Sequence, residues 1–505
     1  MNPLPGKLAS YWIDSTSTGN FSSLESNVSV DVAIVGAGIA GVTAATLLKK
    51  AGKTVALIES QEVGMGATGY TTAKVTSLHQ LIYATLIDKV GEDKARLYGE
   101  SQQAAVEQVA TLVAQEQIDC DFARKSTYTF AETEENLKKI EDEVEAALRF
   151  GLPASFVRET SLPFPIAGAI RFDNQAQFHP RKYLLSLAKL LPGNGSYVFE
   201  NTRVQSVEEG EPCKVITERG TLSAKKVLVT TNLPILDQGL FFAKTYPKSS
   251  YLVAAPIDDA KAPEGMFIGV GEGYRSIRTT PSPEGTLLIV GGEGHKTGSV
   301  SETEEKYLKL ATYVRDRFGT EVKYRWSSHD MMSMDMLPYI GKLTPLSDAV
   351  YVATGFSLWG MSNGTVSGMI LSDLVLGNQN PWADVYDATR VTPFLSQDSL
   401  KNNLDVGKHW VGDRLKGSSA DTLVTLASGE GKLVNVDGDK IAAYRDDEGT
   451  LHTCSAVCPH LGCIVNWNSA EKSWDCPCHG AQFSGDGKLF HGPAVTDLEP
   501  KNVEV

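Results

Sequence analysis

The chain has 505 residues, of which 42% are hydrophobic and 21% charged, with a formal net charge of -14. That length holds two or three domains with an ample core, and the acidic balance excludes nucleic acid and anionic membrane surfaces as partners. The longest uncharged run, Val32 to Leu48, is 17 Gly-rich residues rather than a membrane span, and Met1 to Leu8 lacks the basic-then-apolar start of a secretory signal, so a cytoplasmic protein with no transmembrane segment is expected.

Residues 1–30, rich in Pro, Ser and Asn, read as an N-terminal extension. Asp31 to Val35 is a short apolar strand, Gly36-Ala-Gly38-Ile-Ala-Gly41 a turn, and Val42 to Lys50 a helix. Gly36 permits the tight turn, Gly38 lets a pyrophosphate approach the backbone, and Gly41 allows close helix packing. The helix N-terminus offers N–H groups and a favourable dipole to phosphates. A second strand, Thr54 to Ile58, ends at Glu59, 21 residues after Gly38, where a carboxylate can accept ribose hydroxyls. Strand, turn, helix, strand and terminal acid in this order predict a dinucleotide site, although the motif does not choose among dinucleotides. The small-residue loop from Gly64 to Lys74 either runs past the cofactor, with Thr71 and Thr72 as contacts, or is a solvated turn.

Helical spacing dominates from 80 to 150, with Leu137, Ile140, Val144, Ala147 and Leu148 in phase and Gly151 at the C-terminal cap. From Ser155 short β-like runs take over, interrupted by a helix from Lys182 to Leu191; His179, just before Pro180, reads as structural. Thr221 to Asn232 is a strand returning to the dinucleotide domain, and two more strands follow at 276–280 and 286–290. Arg275 and Arg278, three apart on an extended segment, point to opposite faces. Arg278 is therefore the candidate clamp for a substrate carboxylate, with an ordinary salt bridge as the competing reading. Gly291 to Thr297 fails as a phosphate loop because His295 occupies a glycine position. Glu302 to Phe318 is an amphipathic helix capped by Gly319, and no second complete G-x-G-x-x-G unit supplies a nicotinamide domain.

Two later stretches carry a resemblance. Asp335-Met-Leu-Pro338-Tyr-Ile340-Gly341 and the Gly-rich segment from Tyr351 to Gly364, taken with the Gly36–Gly41 turn and Glu59, resemble the FAD-binding parts of the D-amino-acid oxidase superfamily over residues 31–390. The resemblance implies an α/β Rossmann-like FAD domain with an inserted antiparallel-sheet substrate domain at roughly 155–330. It also implies FAD contacts from Thr354, Gly355, Trp359, Gly360 and Met361; by their place in the chain Trp326 and Trp359 are candidate pocket walls, with plain core as the competing reading, and Trp326 and the titratable His329 join Arg278 as catalytic candidates. A helix starting at Val366 and capped by Gly377 would aim its dipole at the flavin edge that becomes anionic on reduction.

Residues 391–420 read as a linker with a short helix near His409 and Trp410, and residues 421–505 as a small all-β domain with turns at Gly429, Asp437-Gly438 and Gly449. Five of the seven cysteines lie between Cys454 and Cys478, and the pattern C-x-H-x15-C-x2-H joins Cys458, His460, Cys476 and His479. That spacing suits a 2Fe-2S cluster with thiolates on one iron and imidazoles on the other. A structural zinc site is the rival, disfavoured because zinc patterns pair like ligands as C-x2-C. The two loops resemble those of Rieske proteins of the electron-carrier branch, and the resemblance implies a disulfide between Cys463 and Cys478. Ala481 and Phe483 replace the Ser and Tyr of respiratory members, whose hydroxyls donate toward sulfur, so a low-potential cluster is expected.

The whole is similar to bacterial fusions of an FAD-dependent oxidoreductase with a Rieske domain. The first reading is oxidation of a small amine, amino acid or related small molecule, with electrons leaving through the cluster to a carrier protein or other one-electron acceptor. The alternatives are an electron-transfer protein fed by a carrier, or a redox sensor. A Rieske oxygenase is disfavoured, since the nine histidines include no two-His-one-carboxylate set on a single helix.

Overall fold

The structure, a computed structural model, describes residues 4–391, 418–419 and 422–503. The expected linker, with its helix near His409, lies almost wholly outside the described residues.

An eight-stranded sheet forms the first layer. Its main path runs Tyr339–Lys342, Val350–Thr354, Thr221–Val229, Val28–Val35, Val55–Ile58 and Tyr197–Phe199. The last five pair in parallel, with Val227 beside Ala33 and Ile34 beside Leu57. Val32 to Val35 and Val55 to Ile58 are buried on both faces, as a parallel sheet covered by helices requires.

Helix Ile39–Lys50 follows the glycine turn and packs against helix Gly360–Leu376. The latter begins six residues before the expected Val366. Its early turns lie directly on the first helix: a Cβ at Gly368 would stand 2.6 Å from Thr43 Cγ2, and one at Gly364 would overlap Ile39. Glycine is therefore helical here because contact with the neighbouring helix outweighs its low propensity. Both helices start at the same side of the molecule, so two positive dipole ends converge.

The ten-stranded second sheet corrects the expected insertion at 155–330. It takes Tyr324–Ser333, Thr245–Ile257, Gly285–Lys296, Ser276–Ser282 and Met266–Gly269, but also Ala123–Ala131 and Lys74–Val75 from well before residue 155. Conversely, the strands from Tyr197 to Val229 belong to the first sheet. The subdomains are interleaved because strand pairing is long-range, whereas composition along the chain reports only local preference. Gly291 to Thr297 falls largely within a strand, consistent with its dismissal as a phosphate loop.

The N-terminal residues are not a separate extension. Lys7 and Leu8 pair in parallel with Tyr324 and Arg325 at the edge of the second sheet. Trp12 is fully buried, donates from Nε1 to the Thr71 carbonyl at 2.7 Å, and lies 5.3 Å from the Arg278 guanidinium. Indole burial with its N–H satisfied outweighs the polar composition of this segment.

The C-terminal residues form two four-stranded sheets, one of Ser418–Ser419, Gly431–Val436, Asp439–Arg445 and Leu451–Ser455, the other of Asn466–Asn468, Ser473–Asp475, Gln482–Ser484 and Leu489–His491. Among the described residues, no helix is long and apolar enough to cross a membrane. Trp12→Ala is expected to cost about 3–5 kcal/mol and to lower the thermal midpoint of the whole oxidoreductase module, measured by calorimetry on the full chain.

Candidate active site and cluster loops

A cavity opens where the two helix N-termini meet the face of the second sheet. Gly36 and Gly38 form one end. Gly36 has φ +103°, and a Cβ there would lie 2.9 Å from the Thr230 carbonyl oxygen. Gly41 stands behind the turn, where a Cβ would strike Gly36 O. Glu59 lines the cavity beside them, its carboxylate accepting from Ala37 N at 2.9 Å and Gln61 N at 3.0 Å. A fixed acid and the N-terminal turn of helix Ile39–Lys50 therefore flank one space, an arrangement suited to the ribose and pyrophosphate of a dinucleotide.

At the other end Trp359, Gly360 and Met361 line the cavity, as do Thr71 and Thr72 of the small-residue loop. Trp359 stacks on His79 with ring centroids 4.6 Å apart. Burial pushes His79 down to about 3, so the stacked ring is neutral at physiological pH. Thr354 and Gly355 stand behind this wall. The Thr354 hydroxyl donates to the Asn232 carbonyl, and Gly355 turns at φ +76° against Ser333 and Tyr339.

The three catalytic candidates are placed elsewhere. Arg278 is 1% exposed and donates to the carbonyls of Thr279, Thr72 and Ala73, so its guanidinium braces the loop from behind. Trp326 is core, with Nε1 donating to the Tyr70 carbonyl at 3.0 Å. His329 lies on the face of its strand opposite Ser328 and Asp330, which line the cavity. Its ring approaches Ser249 Oγ at 3.1 Å and His491 at 6.0 Å, and burial pushes it down to about 3.

Two cavity residues escaped the sequence reading. Asp330 accepts from Leu358 N at 2.6 Å and Met331 N at 2.8 Å, and burial pushes its carboxyl up to about 6. It thereby anchors Ser357 and Leu358 at φ 52° and 72°, strained for non-glycine residues, at the entry to helix Gly360–Leu376. Strict alternation along 326–330 was the available signal. Lys74 is buried, lines the cavity and donates to Ser276 Oγ. Its signal was a lone cation closing an otherwise uncharged loop.

In the C-terminal domain the sulfurs of Cys458 and Cys476 lie close enough to share a proton, which pushes the Cys458 thiol up and the Cys476 thiol down. Each sulfur also accepts backbone N–H groups, from His460 and Leu461 in one loop and His479 and Cys478 in the other. The rings of His460 and His479 stand 4.9 Å apart and nearly perpendicular. His460 Nδ1 is buried without a partner among the described residues, as a ring nitrogen intended for a metal would be. Cys463 and Cys478 form the disulfide. Two of the four loop thiols are thereby removed, which disfavours the zinc alternative and leaves the two-thiolate, two-imidazole set of a 2Fe-2S cluster.

The two modules share the cavity. Phe490, His491, Gly492, Ala494 and Val495 of the C-terminal domain line it together with Glu59 and Gly36. Arg203 donates to the Leu489 carbonyl at 3.0 Å, Asn232 approaches His491 Nε2 at 3.1 Å, and Thr303 donates to Asn468 Oδ1 at 2.7 Å. Phe242 of the first module lies edge-on to His479 at 5.4 Å.

A dinucleotide cavity partly walled by a two-Cys, two-His cluster domain defines an FAD-dependent oxidoreductase that carries a Rieske 2Fe-2S domain. Residues 31–374 match the family model described as FAD dependent oxidoreductase, to which the chain belongs, and residues 421–501 match the Rieske [2Fe-2S] domain. The chain is 34% identical over 494 residues, 97% of this chain and 96% of the other, to YhfW of Bacillus subtilis (strain 168), which is named as a Rieske 2Fe-2S iron-sulfur protein. It is 23% identical to the gamma-glutamylputrescine oxidoreductase of Escherichia coli (strain K12), covering 73% of this chain and 88% of that one. Glycine oxidase from Geobacillus kaustophilus superposes with a TM-score of 0.62 at 20% identity over 72% of this chain and 99% of its own, which shows the shared fold.

Ala481 and Phe483 are fully buried in the apolar cluster that contains all four loop cysteines. Restoring the hydroxyls in an Ala481→Ser, Phe483→Tyr variant is expected to raise the cluster potential. Each bond of ~1–3 kcal/mol corresponds to roughly 40–130 mV, read by redox titration of the cluster's EPR signal; an unchanged potential would contradict the low-potential expectation.

Proposed function

We propose that this protein oxidises a small amine that bears a carboxylate, an amino acid or close relative, and passes the electrons through its cluster to a one-electron carrier protein. The observation that carries the substrate assignment is Lys74. Its Nζ is buried at the cavity wall, and among the described residues no carboxylate lies within ion-pair distance. Burial, and then the nearby Arg278 guanidinium, push its pKa down to about 7. A buried ammonium without a counter-ion is costly, and a substrate carboxylate would complete the pair while the amine is held along the sheet face. The E. coli relative named for an amine substrate supports the same class.

When bound, FAD supplies the two-electron acceptor and the cluster the one-electron relay. The chain's own residues position and enclose. Asp330 holds the strained entry to helix Gly360–Leu376, whose N-terminus presents N–H groups and a positive dipole end to the cavity. Trp359 is fixed by its stack on His79, and Phe490 to Val495 help exclude water from the opposite end.

Lys74 is protonated below pH about 7 and neutral above it, so affinity for a simple carboxylate inhibitor should fall about tenfold per pH unit above that value. Lys74→Met is expected to weaken such binding more than tenfold at pH 6 and to flatten the pH profile, followed by perturbation of the flavin spectrum. The full assignment is tested by anaerobic mixing with a panel of amines, amino acids and hydroxy acids. Bleaching by amines that carry a carboxylate is expected; no bleaching by any member, with rapid reduction by a carrier protein, would reverse the assigned direction of electron flow.

A further inference from the structure

The edge of the cluster domain that carries the two histidines is turned toward the flavin module and not toward solvent. The His460 side chain is only 8% exposed, and Phe242 lies edge-on to both rings, at 6.3 Å from His460 and 5.4 Å from His479. Closer still, His460 Nε2 stands 3.1 Å from Asp237 Oδ1. Asp237 opens the short turn Asp237–Gly239, eight residues beyond the strand that ends at Val229, and its carboxylate is half exposed.

The ring nitrogen of His460 left without a partner is Nδ1. A ring that ligates through Nδ1 carries its proton on Nε2 and donates it to the carboxylate, a charge-assisted hydrogen bond. Carboxylates so placed fix the orientation of a ligating imidazole and raise its basicity. Added negative charge also favours the oxidised, more positive state of a cluster, and hydrogen bonding and net charge are among the terms that set such potentials.

We propose that Asp237 is a positioning residue for the Rieske cluster: the flavin module supplies, through His460 Nε2, a carboxylate that orients the ligand and lowers the cluster potential while the two modules are docked. The cluster's driving force is then a property of the assembled chain. An undocked cluster domain would lose this acceptor and become a stronger oxidant. Because the contact lies outside the substrate cavity, the inference stands independently of the substrate assigned above.

The test is a redox titration of the cluster in full-length holoprotein, read by EPR, for wild type, Asp237→Asn and Asp237→Glu. Asp237 is half exposed and in neither ligand set, so FAD and iron content should match wild type in both variants. The reduction equilibrium should shift toward the reduced cluster by about three- to tenfold in Asp237→Asn, ~30–60 mV at 59 mV per tenfold, and by less than about twofold in Asp237→Glu, which keeps the charge. An unchanged potential in Asp237→Asn would overturn the proposal, as would equal shifts in both variants. A raised potential accompanied by loss of FAD would also overturn it, because the shift would then report undocking and not the carboxylate.

Discussion

Polar groups removed from water cost free energy unless each finds a partner, and the seam between the cluster domain and the flavin module is built of such pairs. Arg203 meets the Leu489 carbonyl, Asn232 meets His491, Thr303 meets Asn468, and the Tyr307 hydroxyl donates to Glu471, whose carboxyl burial pushes up. Undocking would leave these groups to re-solvate and would open the cavity along Phe490 to Val495. The seam therefore does two things at once: it helps close the flavin site, and it sets the histidine edge of the cluster against Phe242 and Asp237. On the proposed route, such a seam would hold the two redox groups in one assembly without domain motion.

The flavin module depends in turn on one close contact between helices. Gly364 and Gly368 allow helix Gly360–Leu376 to lie on helix Ile39–Lys50, so that both N-termini open into one cavity. One end would receive negative charge in the form of the cofactor's phosphates. The other would stabilise negative charge gained by a flavin ring on reduction. Asp330 ties the second end to the antiparallel sheet through Leu358 N, and through the same sheet the cavity acquires Lys74 and Ser276.

What was legible in the sequence was local. The Gly36–Gly41 turn with Glu59, the Cys458–His460 and Cys476–His479 loops, and the caps at Gly319 and Gly377 are each set by a few contiguous residues; the turn opens helix Ile39–Lys50, Glu59 accepts from Ala37 N, and both glycines cap their helices. The illegible parts depend on pairing across the chain. Arg278 looked functional because at most one of two arginines three apart on a strand can face an enclosed pocket, and His329 because it is the titratable group nearest the Gly-rich segment. Burial against backbone carbonyls and the opposite face of a strand decide otherwise. Trp12, in a segment polar enough to pass for an extension, is core because of a partner near residue 71. No local pattern announces that residues 490–495 wall a cavity begun at residue 36, since the two lie on different domains and meet only in the folded chain.

On the proposed route, flavin and cluster exchange electrons within one docked assembly. The measurement that tests it most directly is the rate of cluster reduction after anaerobic flavin reduction in a single turnover, followed as solvent viscosity and protein concentration are varied. A docked unit predicts a first-order rate unchanged by either variable. A rate that falls in proportion to viscosity would show that the cluster domain must travel, and one that rises with concentration would show transfer between chains; either would contradict the account.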